Sequence, residues 1–280
     1  MKSPISSLTP SQAIIHLYYL DQDSQLMGQN FTNADNAPQA GLPYRAINGK
    51  INGTFENARL STYSPYLLIQ EATGRIQAFT WKLHLVDVEN ATVWEDETKL
   101  LKIDSLLGTA GASIVTLPIT SEFQDSGAFI YGRGDGTVAT YALSGHGDPK
   151  GTSWDSAPPL AVPIPKGASI GAFTVARSTS RTILNVNTYI LFQAANGTLQ
   201  MVWQDDDANG WKGPQTFAAL DGADKGTDIA CVTQTAWNLV DVWLRTVSAI
   251  NRCYFQSQGA VKEVWFDGQD WHHLGFVPMG

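Results

Sequence analysis

The sequence predicts an all-β fold, a β-propeller of five blades with four antiparallel strands each. Three observations predict it. A strand–turn–strand unit recurs along the chain, the composition is that of a turn-rich globular protein, and no window of about 11 residues shows helical periodicity. Of the 280 residues, 43% are hydrophobic and 16% charged, with 25 glycines and 13 prolines. Few charges and 10% aromatics favour collapse over disorder. Frequent Gly and Pro suit tight turns. The chain, 1–280, reads as one domain.

The recurring unit is an apolar strand, a tight turn and a second apolar strand. Tyr66-Leu-Leu-Ile-Gln70 leads through Glu71–Gly74 into Arg75–Trp81. Ala128–Gly132 leads through Arg133–Gly136 into Thr137–Leu143, and Tyr189–Gln193 leads through Ala194–Gly197 into Thr198–Trp203. A fourth copy reads Asp241–Arg245, Thr246–Ala249 and Ile250–Phe255; a degenerate first copy reads His16–Leu20 and Leu26–Phe31. Successive hairpins start about 50 to 60 residues apart, the period of a blade. A strand of small residues precedes the later hairpins, at Ala58–Tyr63, Ala112–Leu117, Ala168–Thr174 and Thr227–Thr233, as the crowded strand beside a propeller axis requires. A shorter strand follows, as at Trp154-Asp155 or Trp211-Lys212. The hairpin strands are apolar on both faces, which suits sheets stacked between neighbours. The first unit lacks its inner strand, so the tail Asp270–Phe276 is expected to return and supply it or close the ring. A sixth blade would need Arg252 to Trp265 to form its own hairpin, a segment that overlaps the fifth. Six blades are the lesser expectation.

Charge and hydropathy exclude several classes. The net charge is −8 and the pI near 5.0, whereas nucleic acid demands a basic face. No apolar run approaches the roughly 18 residues of a membrane span. The start, Met1-Lys2-Ser3-Pro4, lacks the apolar core of a signal peptide. Four Asn-x-Ser/Thr sequons stand at Asn30, Asn52, Asn90 and Asn196, against about two expected from composition. Secretion, with the signal peptide outside this sequence, is the resulting expectation. Cys231 and Cys253 form either one disulfide or two buried thiols.

Local motifs offer little catalytic chemistry. Gly167-Ala-Ser169-Ile-Gly171 fits a nucleophile elbow, but that motif needs a helix after it, and here it opens an inner strand. Asp205-Asp-Asp207-Ala-Asn209-Gly210 resembles the start of a calcium loop without its later bidentate acid. Arg133-Gly-Asp135 sits at a hairpin turn. His16, His84, His146, His272 and His273 show no metal-ligand spacing, so no metal is expected. Glu56 and Asp228 are the nearest acids to a central funnel, too few for glycoside hydrolysis. No phosphate-binding Gly-rich loop opens a helix, so no cofactor is expected.

The last segment, Arg252-Cys-Tyr-Phe-Gln-Ser-Gln-Gly259-Ala-Val-Lys-Glu263-Val-Trp-Phe-Asp-Gly268-Gln-Asp-Trp271, resembles the repeat of the fungal fucose-binding lectins of the orange-peel-fungus type. The resemblance implies that Arg252 and Glu263 hydrogen-bond a sugar and that Trp271 stacks on its apolar face. Other units depart from it. The Arg position is Tyr66, Ala128 and Tyr189; the Glu position is Ala78, Thr140 and Met201. The resemblance thus implies one retained site and fucosylated glycans as partners.

A second reading starts from the inner strands. Tyr63, Arg177, Gln234 and Trp237 leave them on one face, and with Thr116 and Thr174 they are expected to line an apolar axial pocket. By class and by elimination, the chain is similar to the fungal propeller hetero-Diels–Alderases of tropolone-sesquiterpenoid pathways. That similarity implies a cofactor-independent cycloaddition between small apolar partners, a tropolone quinone methide and a humulene-type olefin. Arg177 and Gln234 would polarise a carbonyl, while Tyr63, Thr116, Thr174 and Trp237 bind the substrates. This enzyme is the leading expectation, with the single-site lectin as the alternative.

Overall fold

The structure is a computed structural model. It describes residues 5–9, 14–20, 26–32, 39–40, 44–45, 58–63, 66–82, 93–118, 127–133, 135–142, 162, 164–176, 186–205, 210–232, 235–237, 242–244 and 251–277. Among these, the strands assort into five larger sheets and one separate hairpin.

The first sheet joins β1 (Ile5–Thr9), β2 (Ile14–Leu20) and β3 (Leu26–Thr32), with β4 (Gln39–Ala40) and β5 (Tyr44–Arg45) both on β3. The second runs β6 (Arg59–Tyr63), β7 (Tyr66–Gln70), β8 (Ile76–Lys82) and β9 (Val93–Asp96). The third holds β10 (Ile114–Pro118), β11 (Gly127–Gly132) and β12 (Val138–Ala142). The fourth runs β13 (Ile170–Ala176), β14 (Val186–Gln193), β15 (Leu199–Gln204) and β16 (Lys212–Gln215). After β17 (Ile229–Val232), the hairpin of β18 (Thr235–Trp237) and β19 (Val242–Leu244) interrupts the fifth sheet. That sheet resumes with β20 (Asn251–Ser257), β21 (Ala260–Phe266) and β22 (Trp271–Val277). Every pairing is antiparallel, and the only helical element among the described residues is a 3-10 turn, Ala218–Leu220.

Alternation along each strand sends one set of side chains to each neighbouring sheet. Leu68, Ile76 and Ala78 of the second sheet meet Ile114, Phe129, Tyr131 and Ala139 of the third. Leu117, Ile130 and Val138 then meet Ile170, Ala172, Ile190, Phe192 and Val202 of the fourth. On its other face the fourth sheet packs Phe173, Tyr189, Leu191 and Met201 against Cys253, Phe255, Val264, Phe266 and Trp271 of the fifth. Burying both faces explains why these strands read as continuous apolar runs. The inner strands neighbour one another in sequence: β6 lies beside β10, β10 beside β13 and β13 beside β17, while β1 lies beside both β6 and β17.

The turns repeat a device. Asp135 Oδ1 accepts the Thr137 N–H and hydroxyl at 3.0 and 2.6 Å, and Asn196 Oδ1 accepts the same groups of Thr198 at 3.1 and 2.8 Å. The Asp of Arg133-Gly-Asp135 is thus engaged in its own turn. Gly74 has φ +89°, and a Cβ there would lie 2.2 Å from the Gly108 carbonyl oxygen, so only glycine fits where the second sheet meets the connection to the third. Ser169 precedes a strand, not the helix that a nucleophile elbow requires.

Several expectations are corrected. The first unit has an inner strand, β1, whose ladder runs from Ile5↔Tyr18 to Thr9↔Ile14. The C-terminal segment therefore does not return to it; β22 is the outer strand of the last sheet, paired with β21. The last hairpin is β20–β21, not 241–255, because Val242–Leu244 pairs back to Thr235–Trp237. The third sheet shows three strands; its expected fourth, at Trp154-Asp155, lies outside the described residues.

Two cross-links anchor inner strands, one within the fifth sheet and one between sheets. Cys231 and Cys253 sit directly opposite on β17 and β20 and form a disulfide across a sequence separation of 22. Chain-entropy arguments give such a loop about 3 kcal/mol of stabilisation. At the starts of the inner strands, Arg59 Nη1 donates to both Asp228 oxygens at 2.6 and 2.7 Å, and Arg59 Nε donates to the Gly111 carbonyl at 3.3 Å. Asp228 is thereby neutralised in place, and Glu56 lies outside the described residues.

Candidate functional site

The fifth sheet has one face unlike any other described. Antiparallel partners share a face, so the pairs Arg252↔Trp265 and Tyr254↔Glu263 bring four side chains together, and Trp265↔His272 adds a fifth. The register comes from a two-residue turn in which Gln258 (φ 55°) and Gly259 (φ 75°) both adopt left-handed conformations. Asp224 fixes that turn, accepting both turn N–H groups at 2.8 Å.

Arg252 Nη1 donates to Glu263 Oε1 at 2.6 Å, and the Tyr254 hydroxyl donates to the same oxygen at 2.9 Å. The Arg252 side chain is 41% exposed and that of Glu263 19%, so the pair opens to solvent on one side. Among the described residues, both hydrogen bonds to the carboxylate converge on Glu263 Oε1. Burial works against the Arg252 charge, but Glu263 and the Tyr254 oxygen together outweigh it and raise its pKa. Burial, reinforced by the Glu263 carboxylate, pushes the Tyr254 phenol up to about 12.

That shift has a pH consequence. A phenol held above its unfolded value contributes stability that is intact below about pH 10 and lost as the pH rises through about 12. Tyr254→Phe should flatten this alkaline loss in urea unfolding curves measured from pH 9 to 12. An unchanged alkaline limb would contradict it.

Trp265 is half-buried beside the pair, its indole Nε1 enclosed and without a partner among the described residues. Its ring lies 4.8 Å from that of His272, which pairs with Asp267 at 2.7 Å. Hydrogen bonds from the Asp270 and Gln269 backbone and from His272 pull the Asp267 carboxyl down to about 2.

Trp271 is placed elsewhere. It pairs with Phe266, points to the opposite face, is 4% exposed and stands edge-on to Phe173 at 5.8 Å. It is a core residue of the junction with the fourth sheet and cannot stack on a sugar held by Arg252 and Glu263. Trp265, not Trp271, shares the face of Arg252 and Glu263. The missed residues, Tyr254 and Trp265, follow from the register of the hairpin, which the Gln258-Gly259 turn signals.

The expected axial pocket fares differently. Thr116 is 8% exposed and Thr174 fully buried. The Thr116 N–H and hydroxyl each lie 2.7 Å from Ser61 Oγ on the neighbouring inner strand. Both threonines face the preceding sheet, so neither opens onto an axial space. The side chains of Tyr63, Arg177, Gln234 and Trp237 lie outside the described residues. In the segment that resembles the start of a calcium loop, the Asp205 carboxylate is taken by Lys212 and the Trp203 indole, and residues 206–209 lie outside the described residues. No cluster of three metal-ligating side chains occurs among the described residues.

No protein-family model matches the chain, and no curated protein matches it in sequence. Solved structures match it in fold. AofleA from Arthrobotrys oligospora superimposes with a TM-score of 0.63 at 15% identity, over 97% of this chain and 71% of that one. The Aleuria aurantia lectin, described as a six-bladed β-propeller with a novel fucose recognition mode, gives 0.60 at 14%, over 99% and 78%. BP39L lectin from Burkholderia pseudomallei gives 0.57 at 13%, over 99% and 70%. The fold is an all-β propeller. Its structural neighbours are lectin-type propellers, and at these identities the likeness extends to architecture alone.

Within the propeller, the register identifies the positions equivalent to Arg252 and Glu263. They are Tyr66 and Ala78 in the second sheet, Ala128 and Thr140 in the third, and Tyr189 and Met201 in the fourth. Except for the half-buried Tyr66, these are at most 4% exposed. The sequence comparison and the ladder register agree at every one of these positions.

Proposed function

We propose that this protein binds carbohydrate, a fucose-type sugar, through Arg252, Tyr254, Glu263 and Trp265. One observation carries the reading: a charge-paired, half-open cluster on a sheet face whose equivalents in the second, third and fourth sheets carry no charge and, Tyr66 apart, are buried. A part-exposed ion pair is worth only about 0–1 kcal/mol to folding, so stability does not account for it. A sugar offers vicinal hydroxyls that donate and accept. The carboxylate takes hydroxyl protons, the guanidinium gives hydrogen bonds to hydroxyl and ring oxygens, and the Trp265 indole offers a wall for an apolar sugar face. Fucose as the sugar is supported by the fucose-recognising propellers that share the architecture.

The proposal extends to the frame around the site. The five larger sheets act as five blades of a closed ring, supported by the sequential contacts of the inner strands and by β1 lying beside both β6 and β17. Secretion is supported by the disulfide and by the exposed Asn196 of the Asn-Gly-Thr turn as a glycan acceptor. Asn30 lies in β3, and Asn52 and Asn90 lie outside the described residues.

A glycan array tests the reading. Wild-type protein should mark fucosylated glycans, and Arg252→Ala should lose that signal while keeping its circular dichroism spectrum. An array without signal, or one unchanged in the variant, overturns the assignment.

A further inference from the structure

Three dry junctions and one polar face set the number of sites. In the second, third and fourth sheets, the face that would carry a sugar site is filled by packing against the following sheet. Ala78 is sealed with Phe129, Tyr131 and Ala139, and Thr140 is 4% exposed. Met201 is sealed with Phe173, Phe255, Val264 and Phe266. An arginine–carboxylate pair in such a place would lose its hydration without gaining a solvent channel through which a sugar could arrive. Site and tight junction exclude one another at the same position. In the first sheet the corresponding register positions are His16 and Gly28, and glycine carries no acid. Among the described residues, only the fifth sheet places an arginine–carboxylate pair, Arg252 and Glu263 with Tyr254, on a face open to solvent.

We infer that the protein is a monovalent glycan reader: one chain takes one sugar terminus and does not cross-link glycans. The inference rests on the proposed sugar-binding reading and adds its valence. A repeated propeller gains avidity by engaging several termini at once, with enhancements of about 10²–10⁴-fold. This chain forgoes that gain. Its partner is a single exposed fucosylated end rather than a dense glycan surface, and clustering would require joining two chains.

Native mass spectrometry with methyl α-L-fucoside counts the sites, and beads coated with fucose report cross-linking. The expected result is one sugar per chain, none in Arg252→Ala, and no bead clustering by the single chain. A tandem of two chains on a flexible linker should cluster the beads and retain them at least tenfold longer. Two or more specific sugars per chain, or clustering by protein that sediments as a monomer, overturns the inference and leaves sugar binding standing. A folded wild-type chain that takes up no sugar overturns the sugar-binding reading, and monovalence falls with it.

Discussion

Met201→Glu should lower stability by about 3–5 kcal/mol, the cost of an unpaired carboxylate in a dry junction. Met201 is 2% exposed and packs with Phe173, Leu191 and Phe255 between the fourth and fifth sheets. No cation is placed to meet the new charge, because the position equivalent to Arg252 is Tyr189, itself stacked on Phe173 at 4.9 Å. Domains of this kind have about 5–15 kcal/mol in total, so the variant should be largely unfolded or melt far below the wild type. Urea unfolding followed by tryptophan fluorescence measures it. The same residue type at the same register position is tolerated in the fifth sheet as Glu263, so the pair of positions tests whether junction packing and site chemistry exclude one another. Wild-type stability of Met201→Glu would show that this junction is not dry.

Glu263→Gln should weaken fucoside binding by about 3 kcal/mol, roughly a hundredfold in Kd, with little change in folding. The carboxylate accepts from Arg252 and Tyr254 through Oε1 and leaves Oε2 for a ligand. The amide keeps the shape but replaces one acceptor with a donor and removes the charge that strengthens hydroxyl contacts. Tyr254→Phe should cost less, since it removes only a neutral donor that orients the carboxylate. Calorimetric titration of the three proteins ranks them. A fully active Glu263→Gln would remove this carboxylate from recognition.

Much of the fold was legible in the sequence because burial on both faces leaves unbroken apolar runs. The hairpins at Tyr66, Ala128 and Tyr189 stand in the structure at the ladders expected of them. The first and last units were misread for local reasons. Ile5–Thr9 is short, with Ser6-Ser7 at its centre, and carries no apolar pattern that separates a strand from a loop. Thr246–Ala249 resembled the four-residue turns of earlier units, whereas the true turn is the two-residue Gln258-Gly259. The mistaken turn puts Arg252 in the second strand of the last hairpin, whereas with the true turn it lies in the first, opposite Trp265.

The site was half legible. Arg252 and Glu263 followed from the resemblance of one segment, and the ladder places them together. Trp271 did not, because spacing alone cannot say which of two tryptophans shares a face with the pair. The loop that Asp267 organises pairs Phe266 with Trp271 and so turns Trp271 inward, to the face opposite Glu263. The axial pocket rested on residues leaving inner strands; of its two described members, Thr116 bonds to Ser61 on the neighbouring strand and Thr174 is fully buried. Nothing described favours the cycloaddition.

A crystal structure of the protein soaked with methyl α-L-fucoside tests the central claim most directly. The account predicts one sugar per chain on the fifth sheet, its hydroxyls bonded to Arg252 and Glu263 and a ring face against Trp265. A sugar bound at another face, or a site left empty at a saturating concentration, would contradict it.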